Sequence, residues 1–564
     1  MAQIEPSGPT VPSTPSGPSV SAPGAPQGPA VGGTLGGSPQ PGGFIGFGGP
    51  GSAPLTPDSR TRAGTVGFPF TAVGAEPASQ RAWRIVPSLG LEQIYNDNID
   101  FSSTNQRDDF ITRITPGLLL GVDTLRLQGT LNYAPSYDYY WQNDDESRLN
   151  HQGNGQFLFA AIPDFLFLDT RGSAAVQSLS GGFTPGTEAS TARGDEVQTL
   201  SFSASPYIVQ RFGGTATARV GYVYTYVNQD RVDPNAALPI DQLPSSFAPS
   251  EYSSHQAYAV VRTGEDFGRL AMQGTLSGTR FEGDGLYRDA YRDIGVVETR
   301  YAFTQFVAGL IEFGWERQRF NTIPQIDIDD AVWAFGVRLT PNPDSVIIAK
   351  YGQRDGFRSF YLNGSYAVGV RTRLAATYSE RLTTSALTAG DLLSTTTLDP
   401  LGNPVDAQTG IPVLPGYVNS SLGVQSGLYK ETLATASISQ TWLRDTISLF
   451  VTMTNRDPVA QDPGVNAPQV SSEATSVGIR WGHDLAPTTS LVSFATVGIS
   501  ESGGGGNTNT YGLGVSLVQE LRPGLAGALS YRFNMRDGGI TQTGSQNAGD
   551  AMQNIFTLGL RQSF

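Results

Sequence analysis

The sequence predicts an all-β chain, a transmembrane antiparallel up-and-down β-barrel of about 22 strands (20–24) behind a Pro/Gly-rich tail. Three observations carry that expectation. Apolar and polar residues alternate with a period of two over segments longer than ordinary strands. Short and long connections take turns along the chain. No apolar run approaches the ~18 residues that a spanning helix needs.

The alternation is plainest at 124–141, TLRLQGTLNYAPSYDYYW. Leu125, Leu127, Gly129, Leu131, Tyr133, Pro135, Tyr137 and Tyr139 fall on one face, and Arg126, Gln128, Thr130, Asn132 and Asp138 on the other. An apolar face that finishes in aromatics, with Tyr140 beside them, is what a bilayer asks of a crossing strand, because Tyr and Trp settle at headgroup level. A mean hydropathy of −0.19 fits, since alternating strands average to neutral.

The same period begins at Trp83, Ile85, Pro87, Leu89, Leu91 and Tyr95, and returns in Phe110, Ile114, Leu118 and Leu120, with 121–123 as the turn into 124–141. Further strands are expected at 148–161, 164–179, 195–211, 215–228, 251–263, 269–282, 289–303, 305–319, 330–341, 345–353, 358–368 and 371–384. The remainder fall at 427–442, 446–456, 473–485, 489–500, 509–521, 524–536 and 551–564. Short turns such as Pro163-Asp164, Gly213-Gly214 and Gly369-Val370 alternate with longer polar stretches, among them 142–147, 229–250, 320–329, 385–426 and 457–472. Transmembrane barrels have this rhythm, with short periplasmic turns and long outer loops. Asp355-Gly356 breaks it, because a tight hairpin stands where a long loop is due.

Residues 1–80 are Pro, Gly and Ser with almost no charge, so they cannot bury enough apolar surface to offset the entropy of ordering. The expected organisation is a disordered periplasmic tail over 1–80 and a barrel over 81–564. The opening MAQIE carries neither a basic nor an apolar leader region, so a processed or start-truncated sequence is expected.

The chain ends MQNIFTLGLRQSF, with Phe556, Leu558, Leu560 and Phe564 on one face. It resembles the C-terminal strand of bacterial outer-membrane proteins, which implies recognition by the barrel-insertion machinery; Gln562 departs from the apolar residue usual there. The first hairpins, RIVPSLGLEQIYNDNID, DDFITRITPGLLLG and LNYAPSYDYY, resemble the beta-barrel porin 2 group and its exosortase (PEP-CTERM) system-associated outer-membrane proteins. Tyr95, Asp97, Asn98, Thr115, Pro116 and Gly117 carry that likeness, over roughly 83–178. It implies an integral protein of the Gram-negative outer membrane, in contact with its lipid and lipopolysaccharide, and an exopolysaccharide setting.

Function is then sought on the lumen face. By the alternation Arg113, Arg126, Arg171, Arg219, Arg300, Arg338, Arg371, Arg373, Arg480, Arg532 and Arg561 line the pore with Glu298, Glu312 and Glu316, joined by Asp138, Asp169 and Glu520. Opposed charges on such a wall set a preference among polar solutes, and the arginine excess favours acidic ones, polysaccharide included. A net charge of −14 argues against nucleic acid. The absence of cysteine removes thiol catalysis and thiolate metal sites. No catalytic residue, metal or cofactor is expected. Asn143–Glu146 and Asp327, Asp329 and Asp330 are acidic clusters whose default reading is solvated loop charge rather than Ca²⁺ ligation, and GGGG at 503–506 is a loop tip. Ser253-Ser254-His255 lacks the Gly-x-Ser-x-Gly elbow of a hydrolase. A 22-strand ring is wide, and residues 1–80 lack the composition of a folded plug. Unless it is an open duct for a polymer, something narrows it: segment 385–426, with Leu392, Leu393, Leu398, Leu401, Val413 and Leu414, is long and apolar enough to fold inward, and the Pro/Gly tail is the other candidate. The expected function is an outer-membrane pore, for passive diffusion or exopolysaccharide export. The alternatives are a non-conducting structural barrel that binds partners through its loops, and a hydrolase. The sequence leaves the oligomeric state open.

Overall fold

The computed structural model describes residues 82–178, 196–232, 249–398, 404–406, 422–463, 469–502, 507–538 and 550–564, with backbone only at 178, 391–398, 404–406 and 502. The predicted tail at 1–80 and the glycines at 503–506 lie outside these residues.

The chain forms one closed, antiparallel ring of 22 staves. They are β1 (Trp83–Asn96), β2 (Asp109–Asp123), β3 (Leu127–Tyr133 continued by Ser136–Tyr140), β4 (Arg148–Asn150 continued by Gly153–Ile162), β5 (Leu166–Ser178), β6 (Glu196–Phe212) and β7 (Ala216–Arg231). Next come β8 (Ser250–Thr263), β9 (Leu270–Gly283), β10 (Tyr291–Ala302), β11 (Val307–Phe320), β12 (Ile326–Leu339), β13 (Val346–Arg354), β14 (Phe357–Val368) and β15 (Thr372–Thr383). A helix, α1 (Ser385–Thr395), and a small hairpin (Thr396–Leu398 with Pro404–Asp406) precede β16 (Leu428–Thr441). The ring is completed by β17 (Asp445–Ala460), β18 (Ser472–Ala486), β19 (Thr489–Ser502), β20 (Thr508–Arg522), β21 (Leu525–Gly538) and β22 (Ala551–Ser563).

Closure is direct: β1 pairs with β2 on one side and with β22 on the other, Ser88 facing Ser563 and Asn96 facing Ile555. A ring leaves no strand edge, so backbone donors and acceptors are satisfied without water. The two faces divide as the alternation requires. Leu276, Phe313, Leu558 and Leu560 point outward and are 64, 67, 63 and 47 % exposed, while Ser203, Thr225, Ser254, Gln256 and Thr496 are buried on the inner side. An apolar exterior around a polar interior is the surface of a bilayer-spanning barrel. Both chain ends of the ring lie at the short-turn end, since Trp83 pairs with Val122 beside the first short turn.

The residues behind the porin-like opening have a structural task at the closing seam. The Asp97 carboxylate accepts from the backbone N–H and the side-chain amide of Asn554, each at 2.7 Å. The Asn98 amide donates to the carbonyls of Ser102 (2.8 Å) and Met552 (2.9 Å), and Gln553 donates to the Asn98 carbonyl. Lower down, a Cβ on Gly117 would stand 2.5 Å from Ser88 Oγ and 2.9 Å from an Arg561 guanidinium nitrogen. Glycine at that point leaves room for Arg561 to donate to Ser88 across the β1–β22 seam (2.8 Å).

Several expectations are corrected. Strand β2 runs on through 121–123, and the turn is 124–126, where the Thr124 hydroxyl accepts from Leu127 N (2.8 Å). The long strand at 124–141 is interrupted at Ala134-Pro135, because proline brings no ladder donor. Tyr140 then turns into the lumen, 2 % exposed, rather than joining the outer aromatics. Strand β12 begins at Ile326, so Asp327, Asp329 and Asp330 are strand residues, not a loop cluster. The Asp355-Gly356 hairpin stands as expected, with φ of 54° and 77°, the pair of positive values that a tight hairpin turn demands.

Candidate functional site

The site is the lumen together with the segment that enters it. Helix α1 starts directly after β15 because Thr384 caps it: its hydroxyl accepts from Leu387 N (3.0 Å) and its carbonyl from Thr388 N (2.9 Å). The helix lies against the inner wall of β6 and β7 and reaches Tyr252 of β8. A Cβ at Gly390 would stand 2.8 Å from the Tyr252 hydroxyl and 3.5 Å from Val227, so glycine is what admits this approach. Ala386, Leu387 and Ala389 join Val227, Tyr252, Phe281, Leu286, Tyr287, Phe320, Leu382 and Leu428 in one apolar cluster inside the barrel. The rings of Tyr252 and Tyr287 stack at 4.4 Å, and Tyr287 shares a hydrogen bond with Thr384 (2.6 Å). The expected inward fold of 385–426 is therefore present in its first turns, but other residues carry it. The side chains of Leu392, Leu393 and Leu398, and all of Leu401, Val413 and Leu414, lie outside the described residues.

Around and below this cluster the inner wall carries paired charge. Arg113 holds Asp138 through two contacts of 2.7 and 2.9 Å and lies 3.9 Å from Glu92. Arg148 binds Glu196 (2.6 Å). Lys350 bridges Glu298 and Glu312, and Arg354 also binds Glu312. Arg381 (2.8 Å) and Arg456 (3.4 Å) share Glu431. Glu316 is fully buried and accepts from Gly356 N (3.2 Å), which holds the short β13–β14 hairpin to the wall. Buried charge is tolerated only in such mutual company. Outside the wall, in the 97–108 connection, Asp100 and Glu146 hold the Arg107 guanidinium above the ordinary arginine value, first through the hydrogen bond from Arg107 to Asp100.

Toward the short turns the wall is differently charged. Arg171 is held by Asp169 (2.9 Å). Arg219 lies over the Tyr207 ring at 3.5 Å from its centroid. Arg300, Arg338, Arg373, Arg480, Arg532 and Arg561 all occupy lumen-side positions, as does Glu520. Arg126 and Arg371 do not belong to the wall: both are exposed residues of short turns, one position short of the first strand residue. Alternation assigns a face only inside a ladder, so it misplaces residues at a turn. Phe556, Leu558, Leu560 and Phe564 are exposed on the outer face, 50, 63, 47 and 73 %.

Lys350, Arg148, Glu196, Arg262, Arg381, Glu431 and Arg456 also face inward and were not singled out from sequence. Arg262 and Glu431 sit in expected strands at lumen parity, so the alternation could have found them. Their partners stand directly opposite on neighbouring staves, Gln273 for Arg262 and Arg381 and Arg456 for Glu431, so the strand register, which parity does not give, selects them.

The hydrolase reading loses its geometry. Ser254 points into the lumen and is 1 % exposed, whereas His255 faces outward, hydrogen-bonded to the Tyr222 hydroxyl and 3.6 Å from Glu282. Asp329 engages Trp315 Nε1 and Arg317 on the outer face while Asp330 turns inward, so the three acidic residues of β12 do not converge. Asn143 donates to Asp109, and Glu146 pairs with Arg107.

No protein-family model and no curated protein matches the chain. Among solved structures it is similar to the siderophore receptor PirA from Pseudomonas aeruginosa (11 % identity, TM-score 0.36, 85 % of this chain and 80 % of that one). It is similar to the open form of the ferric-catecholate import receptor Fiu from E. coli (8 %, TM-score 0.46, 87 % and 82 %). It is also similar to OccK2 (OpdF) from Pseudomonas aeruginosa (9 %, TM-score 0.33, 86 % and 97 %). At such identities and scores the likeness carries no argument about cargo.

Proposed function

We propose that the chain is an outer-membrane pore that passes polar or acidic solutes and serves export of an exopolysaccharide, with its long loops outside and its 1–80 tail in the periplasm. The observation that carries this reading is the lumen wall: rich in buried polar and charged side chains, with inward arginines toward the short turns and an inserted segment at the long-loop mouth. The exopolysaccharide setting is supported by the resemblance of the first hairpins. In this reading Phe556, Leu558, Leu560 and Phe564 serve recognition by the insertion machinery, and the outer apolar belt meets membrane lipid and lipopolysaccharide.

Planar-bilayer recording tests it. The full chain is expected to give discrete ion channels, and removal of 385–426 larger ones. Silence from both would overturn the pore. The second reading, a non-conducting barrel that binds partners through its loops, is favoured by the apolar cluster filling part of the long-loop mouth, and it predicts that silence.

A further inference from the structure

Beside α1 and below it, the inner wall carries a row of four neutral polar side chains. Thr225 on β7 stands opposite Ser254 on β8, and Gln256 and Tyr258 follow Ser254 along the same face of β8 toward the short turns. They are 0, 1, 2 and 3 % exposed. The hydroxyls of Thr225, Ser254 and Tyr258 and the amide oxygen of Gln256 have no hydrogen-bond partner among the described residues. The Gln256 amide nitrogen donates to the Thr279 hydroxyl (3.2 Å), which fixes the group and leaves its oxygen spare.

Helix α1 covers the upper end of this row with unmatched chemistry. A Cβ on Gly390 would stand 3.8 Å from the Thr225 methyl group and 3.5 Å from Val227. The helix brings Ala386, Leu387 and Ala389 to the barrel interior, side chains with no donor or acceptor to offer a hydroxyl. Tyr252, one outward step above Ser254, does reach the Ala386 carbonyl (3.5 Å). A buried hydroxyl without a partner costs free energy, which a permanently seated helix would avoid by facing an apolar wall. The row is therefore matched to something other than α1.

From Ser254 to Tyr258 the row descends four residues, about 14 Å at ~3.4 Å per residue. None of its groups is charged; the hydroxyls donate and accept, and the amide oxygen accepts. A chain with hydroxyls on every ring meets these groups in turn. We propose that the row is a binding track for a neutral saccharide chain, and that α1 is its competitor, seated over the upper end until the saccharide displaces it. Because helix and ligand exclude each other, the apparent affinity is lowered by the fraction of chains in which α1 is seated. The track rests on the proposed pore only for how the ligand reaches the lumen, and binding is read without conduction.

The full chain, held in lauryldimethylamine oxide rather than a sugar-headed detergent, is titrated calorimetrically with cellotriose, isomaltotriose and glycerol. Gly390→Leu has no room against Tyr252 and Val227, so it should lift α1. That variant is expected to bind at least one trisaccharide about tenfold tighter than glycerol, and several-fold tighter than the unmodified chain does. Val227→Cys with Gly390→Cys, in a chain that has no cysteine of its own, ties α1 to the wall. Its oxidised form should lose about tenfold or more in trisaccharide affinity relative to its reduced form, and reductant should restore it. Thr225→Val with Ser254→Ala should weaken trisaccharide binding about tenfold and, at the same time, slow hydrogen exchange in α1, because the helix then covers no idle hydroxyl. Slower exchange with unchanged saccharide binding would reduce the row to a support for the helix and overturn the track. So would a cysteine pair that cannot be oxidised, equal binding by its two forms, or a Gly390→Leu chain that binds neither trisaccharide better than glycerol. A chain that binds trisaccharide yet never conducts would overturn only the pore, and one that conducts without binding only the track.

Discussion

The two ends of the lumen handle a polar interior in opposite ways. Toward the long loops, charge is neutralised in place: Glu431 sits between Arg381 and Arg456, Arg148 faces Glu196, and apolar side chains of α1, β7–β9 and the 284–290 connection fill the space between them. Toward the short turns the wall carries Arg219, Arg262, Arg300 and Arg338, with Tyr207 under Arg219 and Gln273 accepting from Arg262. The first arrangement is that of a folded core, in which every buried charge has a protein partner. The second sets arginines beside neutral groups along the inner wall. In the proposed pore, blocking and selecting fall at different heights of one wall.

Separating the two ends is the way to sharpen this comparison. The largest effect is expected from removing 385–426, which should raise single-channel conductance several-fold while leaving the anion preference intact, as read from the reversal potential in a salt gradient; a changed preference with unchanged conductance would invert the assignment. Glu431→Ala takes away the carboxylate shared by Arg381 and Arg456, so the long-loop half should lose about 3–5 kcal/mol, measurable by urea unfolding in detergent. Leu558→Arg lies on the lipid face at mid-height, equally far from both devices. It should cost about 2–4 kcal/mol of folding stability in a bilayer and leave conductance and selectivity alone. Asp97→Ala opens the seam bonds to Asn554 and should cost about 1–3 kcal/mol, with hydrogen exchange rising first at the long-loop ends of β1 and β22.

Much of the fold was legible because the bilayer imposes a simple rule. Lipid outside and water inside force a period of two, and the period survives even where Gly117 or Pro116 would weaken an ordinary strand. The rule fails at its ends. Arg126 and Arg371 carry lumen parity but are exposed turn residues at the rim, where the wall no longer encloses a side chain. It also fails at 326–329, which looks like a polar loop because the strand there climbs above the lipid and no longer needs an apolar face.

What the sequence by itself determined is the ring: strand count, the in-and-out assignment of Arg113, Arg219, Glu312 or Leu558, and the rhythm of short and long connections. These follow from local alternation, which each stave carries within itself. Only the tertiary structure decided which charges meet, where α1 lies, and that Asp97 and Asn98 serve the closing seam. Lys350 finds Glu298 three staves away, and Gly390, which follows β15, finds Tyr252 on β8. Such meetings depend on stagger and tilt around a closed ring, and that geometry exists only once the last strand has paired with the first.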